Sequence, residues 1–134
     1  FRGGDSIYGE SIYTTRYELI GSHDISIAKQ AFKLQYSFSS HNQNSVYGNL
    51  LYTAKQNIAF SQLRWEKTIF LKHRLLIGTP FRYTFYDDNT PGTYNMAKNY
   101  PQKTFLPGLF VQDEFTLDTN SVLLAVVPAP LMAV

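Results

Sequence analysis

Three histidines, His23, His41 and His73, are the first residues to test for chemistry. None stands at an i, i+2 or i, i+4 spacing from another ligand, so no metal centre is expected. Asp113-Glu114 is an acidic pair, but neighbouring strand residues point to opposite faces and cannot act together as acid and base on one substrate. Asp87-Asp88-Asn89 opens a predicted loop and offers oxygens suited to Ca²⁺, although a solvated turn is the preferred reading. With no cysteine, disulfide and thiolate-metal chemistry are excluded. No catalytic constellation stands out, and neither enzymatic activity nor a cofactor is expected.

Binding is the more promising chemistry. Tyr47, Tyr52, Tyr86, Tyr94 and Met96 lie on or beside two long polar stretches, and Asp87 and Asp88 accompany them. Loop aromatics offer contact area at low entropy cost, which makes these seven the candidate ligand-binding residues; packing of the loops themselves is the alternative. Lys33, Gln35, Gln62, Arg64, Glu66 and Arg82 alternate with apolar neighbours on predicted strands. They should face a polar lumen, where they would tune its polarity or simply solvate the wall.

The elements that must position these residues read as β throughout. The chain has 134 residues, 16% aromatic and 16% charged, the latter below the roughly 25% of a typical soluble domain. Tyr and Phe favour a pleated, half-buried surface. The net charge of +2 and scattered Lys and Arg argue against a nucleic-acid surface. No run of about 18 apolar residues exists, so a transmembrane helix is excluded, but a transmembrane barrel is not, because its apolar residues recur at every second position. The start at Phe1 rather than Met leads to the expectation that the chain is a piece of something larger.

Phe32–Ser39 alternates without a fault: Phe32, Leu34, Tyr36 and Phe38 share one face, and Lys33, Gln35, Ser37 and Ser39 the other. Similar strands are predicted over Ser11–Gly21, Ala28–His41, Gln56–Lys67, Leu75–Asp87 and Thr104–Leu117. A sixth begins at Ser121 and is expected to fail at Val126-Val127-Pro128-Ala129-Pro130. Pro80 inside the fourth implies an edge or a bulge. Ile58 and Phe60 fall on the polar face for no evident reason. Turns are expected around 22–27, 68–74 and 118–120, with long polar loops around 42–55 and 88–103. Strands of about 10 to 14 residues suit a tilted bilayer crossing better than a soluble sheet. Short turns alternating with long loops are the outer-membrane barrel pattern, and Tyr13, Trp65, Phe85 and Phe115 could form its aromatic girdles. A soluble antiparallel sheet with one wet face shows the same alternation. Closure separates the two, because a barrel needs about eight strands and every edge paired in hydrocarbon. Five strands and part of a sixth make this a fragment of a barrel, or else a soluble sheet.

Leu106-Pro107-Gly108-Leu109-Phe110-Val111-Gln112-Asp113-Glu114-Phe115, followed by a short turn and Val122-Leu123-Leu124-Ala125, resembles a barrel strand pair of TonB-dependent outer-membrane receptors of the Bacteroidetes type. Tyr8-Gly9-Glu10-Ser11-Ile12-Tyr13, Ser40-His41-Asn42-Gln43-Asn44-Ser45 and Arg82-Tyr83-Thr84-Phe85-Tyr86-Asp87-Asp88-Asn89 are similar to family members too. The resemblance covers about residues 3 to 125. It implies an all-β fold: an antiparallel up-and-down transmembrane β-barrel segment of five to six meander strands, forming an open curved sheet in isolation. It also implies a bacterial outer-membrane location and active uptake of a scarce nutrient, such as siderophore-bound iron or a cobalamin. The implied partners are lipid, the rest of the barrel, a plug domain and the TonB system, with no nucleic acid. Without the plug this chain alone should not transport anything. Residues 126–134 depart from the family and are expected to be a truncated or frameshifted tail after a partial barrel at 1–125. A passive or structural outer-membrane barrel and a soluble β-sheet binding module are the alternatives. The barrel reading predicts Phe32, Leu34, Tyr36 and Phe38 largely exposed on a convex face.

Overall fold

A computed structural model describes residues 7–96, 98–118 and 121–130, with only the backbone of Pro130. Alternating side chains on β-favouring residues produce six long strands: β1 (Glu10–Ile27), β2 (Gln30–Tyr47), β3 (Leu50–Ile69), β4 (His73–Asp88), β7 (Gln102–Asp118) and β8 (Ser121–Pro130). They form one antiparallel meander in the order β1-β2-β3-β4-β7-β8. A two-stranded ribbon, β5 (Tyr94–Asn95) with β6 (Lys98–Asn99), is inserted between β4 and β7. There is no helix among the described residues.

The strands outrun the expected bounds, and the predicted loop over 42–55 is absent. β2 and β3 continue through it to a two-residue turn at Gly48-Asn49. The stretch sets polar Asn42, Gln43, Asn44, Thr53 and Lys55 beside unbroken apolar runs at Val46-Tyr47 and Leu50-Leu51-Tyr52, so no apolar alternation marks a strand while the backbone keeps pairing. The first turn also moves. Gly21-Ser22-His23-Asp24 lies inside β1, and the chain reverses at Ala28-Lys29, with φ of 50° and 62°. Gly21 serves a close approach instead: the ring of Tyr36 covers it, and a Cβ there would stand 2.6 Å from Tyr36 Cε2. His23 stacks on the same ring at 5.7 Å.

Two expectations about proline are corrected. Pro80 is not at an edge, because β4 lies between β3 and β7. Gly108 faces it, and the missing side chain leaves the pyrrolidine room; a Cβ at Gly108 would be 3.2 Å from Pro80 Cγ. The sixth strand does not fail after Ala125. Phe110 pairs with Pro128 and Gly108 with Pro130, which an edge strand permits because its outward N–H groups need no partner. The rest of the expected tail, 131–134, lies outside the described residues, as do Thr119 and Asn120 of the last turn.

The chain divides into two units. One comprises the described parts of Phe1–Leu19, Phe38–Ala59 and Tyr83–Thr104; the other comprises those of Ile20–Ser37, Phe60–Arg82 and Phe105–Val134. Little in either is deeply covered. Among the described residues Val46 is the one buried large apolar side chain, with Ser45 and Thr93 the buried polar ones. Phe38 is 45% exposed, whereas Phe32, Leu34 and Tyr36 are half-buried by their neighbours on the sheet. Three of the four are therefore less open than the largely exposed face expected.

Candidate functional site

In the unit that holds the β2–β3 turn and the β5–β6 ribbon, Asp88 organises the chain after β4. Its Oδ1 accepts from the Thr93 hydroxyl (2.6 Å), the Thr90 hydroxyl (2.8 Å) and the Thr90 N–H (3.0 Å). Thr93 Oγ1 in turn accepts from the Asp88 N–H at 2.8 Å. On the other oxygen, Tyr86 donates to Asp88 Oδ2 (2.9 Å), which leaves the Tyr52 hydroxyl to donate to Tyr86 (3.0 Å). The Thr93 bond above all, then those from Thr90 and Tyr86, holds the Asp88 carboxyl at about 2, against the smaller opposing effect of desolvation. This is an Asx-type turn in which the side chain stands in for backbone acceptors.

Beside it lies a cleft of about 450 Å³. β2 contributes Asn42 and Asn44, β3 contributes Thr53 and Lys55, and Asp87 ends the β4 wall. Tyr94 and Asn99 close it from the ribbon. Asp87 Oδ2 accepts from Asn99 Nδ2 at 3.0 Å, while its Oδ1 is shielded from solvent with no hydrogen-bond partner among the described residues. Asn89 is committed to the wall: its Oδ1 accepts from the Thr53 N–H (2.9 Å) and its Nδ2 donates to the Leu51 carbonyl (2.8 Å).

Of the seven predicted ligand contacts, the structure brings Asp87, Asp88 and Tyr94 to the cleft. Tyr52 and Tyr86 join the Asp88 network instead of lining the cleft. Tyr47 is half-buried at the end of β2, and Met96 is fully exposed. The residues missed in the sequence are Asn42, Asn44, Thr53, Lys55 and Asn99. Only Asp88-Asn89-Thr90-Pro91-Gly92-Thr93 carried a readable signal, that of a side-chain-capped turn.

In the second unit the predicted lumen residues form a charged wall. Lys33 Nζ lies 3.7 Å from Asp24 Oδ1, Arg74 Nε donates to Glu66 Oε1 at 2.6 Å, and Arg74 Nη1 lies 3.6 Å from Glu114 Oε2. Lys33, Arg64 and Glu66 share a depression of about 680 Å³ with Asp24 and Arg74. Gln35 and Gln62 line another, of about 470 Å³, together with Phe60 and Ile20. Arg82 is exposed. Asp113 and Glu114 take different partners: Asp113 Oδ2 accepts from His73 Nδ1 at 2.7 Å, whereas Glu114 meets Arg74. His73 also stacks on Phe115 at 4.5 Å, and the hollow beside this pair is lined by Ile69, Phe70 and Leu75.

No protein-family model, curated protein or solved structure matches this chain.

Proposed function

We propose that the chain forms part of the wall of an outer-membrane β-barrel of the TonB-dependent receptor type, which takes up a scarce nutrient such as siderophore-bound iron or a cobalamin. The observation that carries this reading is where the apolar face of the strands ends. On β2, Phe32, Leu34, Tyr36 and Phe38 give way on the same face to Ser40, Asn42 and Asn44. On β3, Trp65, Leu63 and Ala59 give way to Asn57, Lys55 and Thr53. On β4, Leu75 to Phe85 gives way to Asp87. The change falls at one level on β2 and β3, since Ser40 Oγ donates to Asn57 Oδ1 at 2.8 Å. Residues 75–85, at about 3.4 Å each and tilted about 45°, cover about 25 Å, the height of a barrel's apolar band.

Energetics supports the same reading. Burial stabilises at about 25 cal/mol per Å² of apolar surface, yet Val46 is the one buried large apolar residue among the described residues. Hydrocarbon would cover what the sheet leaves open. The charged wall around Arg64, Glu66 and Arg74 would then face the lumen. The cleft and the Asp88 network would then offer contacts to an external ligand, and a plug would transmit the TonB-driven release.

Deleting the parent gene tests the proposal. The deletion strain should lose energy-dependent uptake of one ferric siderophore or of cobalamin, and the parent reading frame should encode a plug before the barrel. A frame without a plug, with uptake unchanged, would favour a passive barrel.

A further inference from the structure

We infer that the turn between β3 and β4 carries a binding site for an anionic phospholipid, with an acyl chain in the hollow beside His73 and the headgroup on Lys67 and Lys72. The inference rests on the reading that the apolar face of the strands meets lipid. Every residue it uses belongs to one unit.

The backbone of the turn is strained for the residues it holds. Phe70 and Leu71 have φ of 52° and 60°, a conformation that suits glycine or asparagine and crowds a Cβ. Both side chains stand in the open, Phe70 87% and Leu71 96% exposed. A turn that only reversed the chain would be served better by Asn-Gly. Its surroundings nonetheless fix it. The Lys72 N–H donates to the Phe70 carbonyl at 2.7 Å, and the Thr116 N–H of β7 donates to the Lys72 carbonyl at 2.9 Å. Strain that neighbouring structure holds in place points to a use for the side chains that cause it.

Beside the turn lies a hollow of about 270 Å³, lined by Ile69, Phe70, His73, Leu75 and Asp113. Leu75 begins the apolar stretch of β4, so the hollow stands at the turn-side limit of the apolar face. Its carboxylate is already used. Asp113 Oδ2 accepts from His73 Nδ1 at 2.7 Å, and Oδ1 is shielded from solvent. The surface left for a ligand is apolar, which an acyl chain matches.

The rim supplies the charge. Lys67 follows Trp65 by two residues on β3 and shares its face. A lysine so placed lays its stem along apolar surface and carries its ammonium to the headgroups, with the tryptophan at the same interface. Lys72, in the turn itself, is exposed as Lys67 is. Neither forms an ion pair among the described residues. Glu66 and Glu114 are engaged by Arg74. Asp118, at the end of β7, is the carboxylate that remains among these hairpin ends, and the two lysines outnumber it. A zwitterionic headgroup brings no net charge to them, and a soluble anion leaves the hollow unfilled.

The test places the full chain in vesicles of mixed phosphatidylcholine and phosphatidylglycerol, with bromine on the chains of one lipid or of the other. Trp65, the single tryptophan of the chain, reports by quenching which lipid lies beside it. Brominated phosphatidylglycerol should quench as if enriched about fivefold or more over its share, the factor that one lysine near an anionic surface supplies. High salt should remove the enrichment. Lys67→Gln/Lys72→Gln should remove it too, whereas Lys98→Gln, in the other unit, should leave it unchanged. Phe70→Asn/Leu71→Gly should raise the urea midpoint, because it suits the turn, yet lower the enrichment, because the hollow loses a wall. Equal quenching by the two lipids would overturn the site while leaving the lipid-facing reading intact. So would an enrichment that survives either pair of substitutions in proteins with the wild-type strand spectrum. Quenching by neither lipid would overturn that reading and the site with it.

Discussion

Gly78 on β4 lies under the ring of Phe110 on β7. A Cβ added there would stand 3.2 Å from Phe110 Cδ1 and far inside contact distance of Cε1 and Cζ. These are ring atoms, so relief requires the whole side chain to leave its slot, and overpacking of that kind costs about 1–3 kcal/mol. Alanine recovers about 0.5–1 kcal/mol by restricting the unfolded chain. The balance predicts that Gly78→Ala destabilises by about 1–2 kcal/mol, a factor of roughly 5–30 in the folded-to-unfolded ratio. In a Phe110→Leu background the ring edge is gone, so most of the penalty should vanish, a coupling of about 1–2 kcal/mol. Trp65 is the single tryptophan of the chain and reports urea unfolding of the full chain in micelles by fluorescence. A Gly78→Ala protein as stable as wild type, or one with the same penalty in both backgrounds, would refute the reasoning.

Two further outcomes follow from the turns. Ala28 and Lys29 hold φ of 50° and 62°, a conformation that costs ordinary residues about 1 kcal/mol or more each; Ala28→Asn with Lys29→Gly, the residues a two-residue hairpin turn favours, should raise the urea midpoint without changing the unfolding slope. The Asp88 carboxyl lies at about 2 when folded against an ordinary 3.8. A lowered carboxyl value makes its contribution fully present above the unfolded value and lost as pH falls through the folded one. Protection of the Thr90 and Thr93 amides against exchange should therefore be constant above about pH 4 and fall between about pH 4 and 2. Asp88→Asn should show no such step.

The fold was legible wherever one face of a strand is apolar. Phe32 to Phe38 and Leu75 to Phe85 announce themselves, and the meander follows from the short connections between such strands. The ends of β2 and β3 were not legible, since Asn42, Gln43, Asn44 and Lys55 carry no apolar period and pairing alone holds them extended. The first turn was misplaced because glycine signals both turns and close approach. At Gly21 a tyrosine ring decides it, while Ala28 and Lys29 give no hint of positive φ. The Asp88 turn was readable because its partners lie two and five residues away. The cleft was not, because Asn42, Thr53, Asp87 and Asn99 come from four segments that only the strand register brings together.

Trp65 is on the face with Phe32, Leu34 and Leu75, and Gln62 is on the face with Arg64 and Glu66. Quenching of Trp65 fluorescence in bilayers by brominated lipid, compared with quenching by aqueous acrylamide, therefore tests most directly whether the apolar face meets lipid. The account predicts strong quenching of Trp65 by lipid bromine and weak quenching by acrylamide, with the order reversed when the indole is moved across the sheet in Trp65→Phe/Gln62→Trp. Trp65 open to acrylamide and untouched by brominated lipid would contradict it.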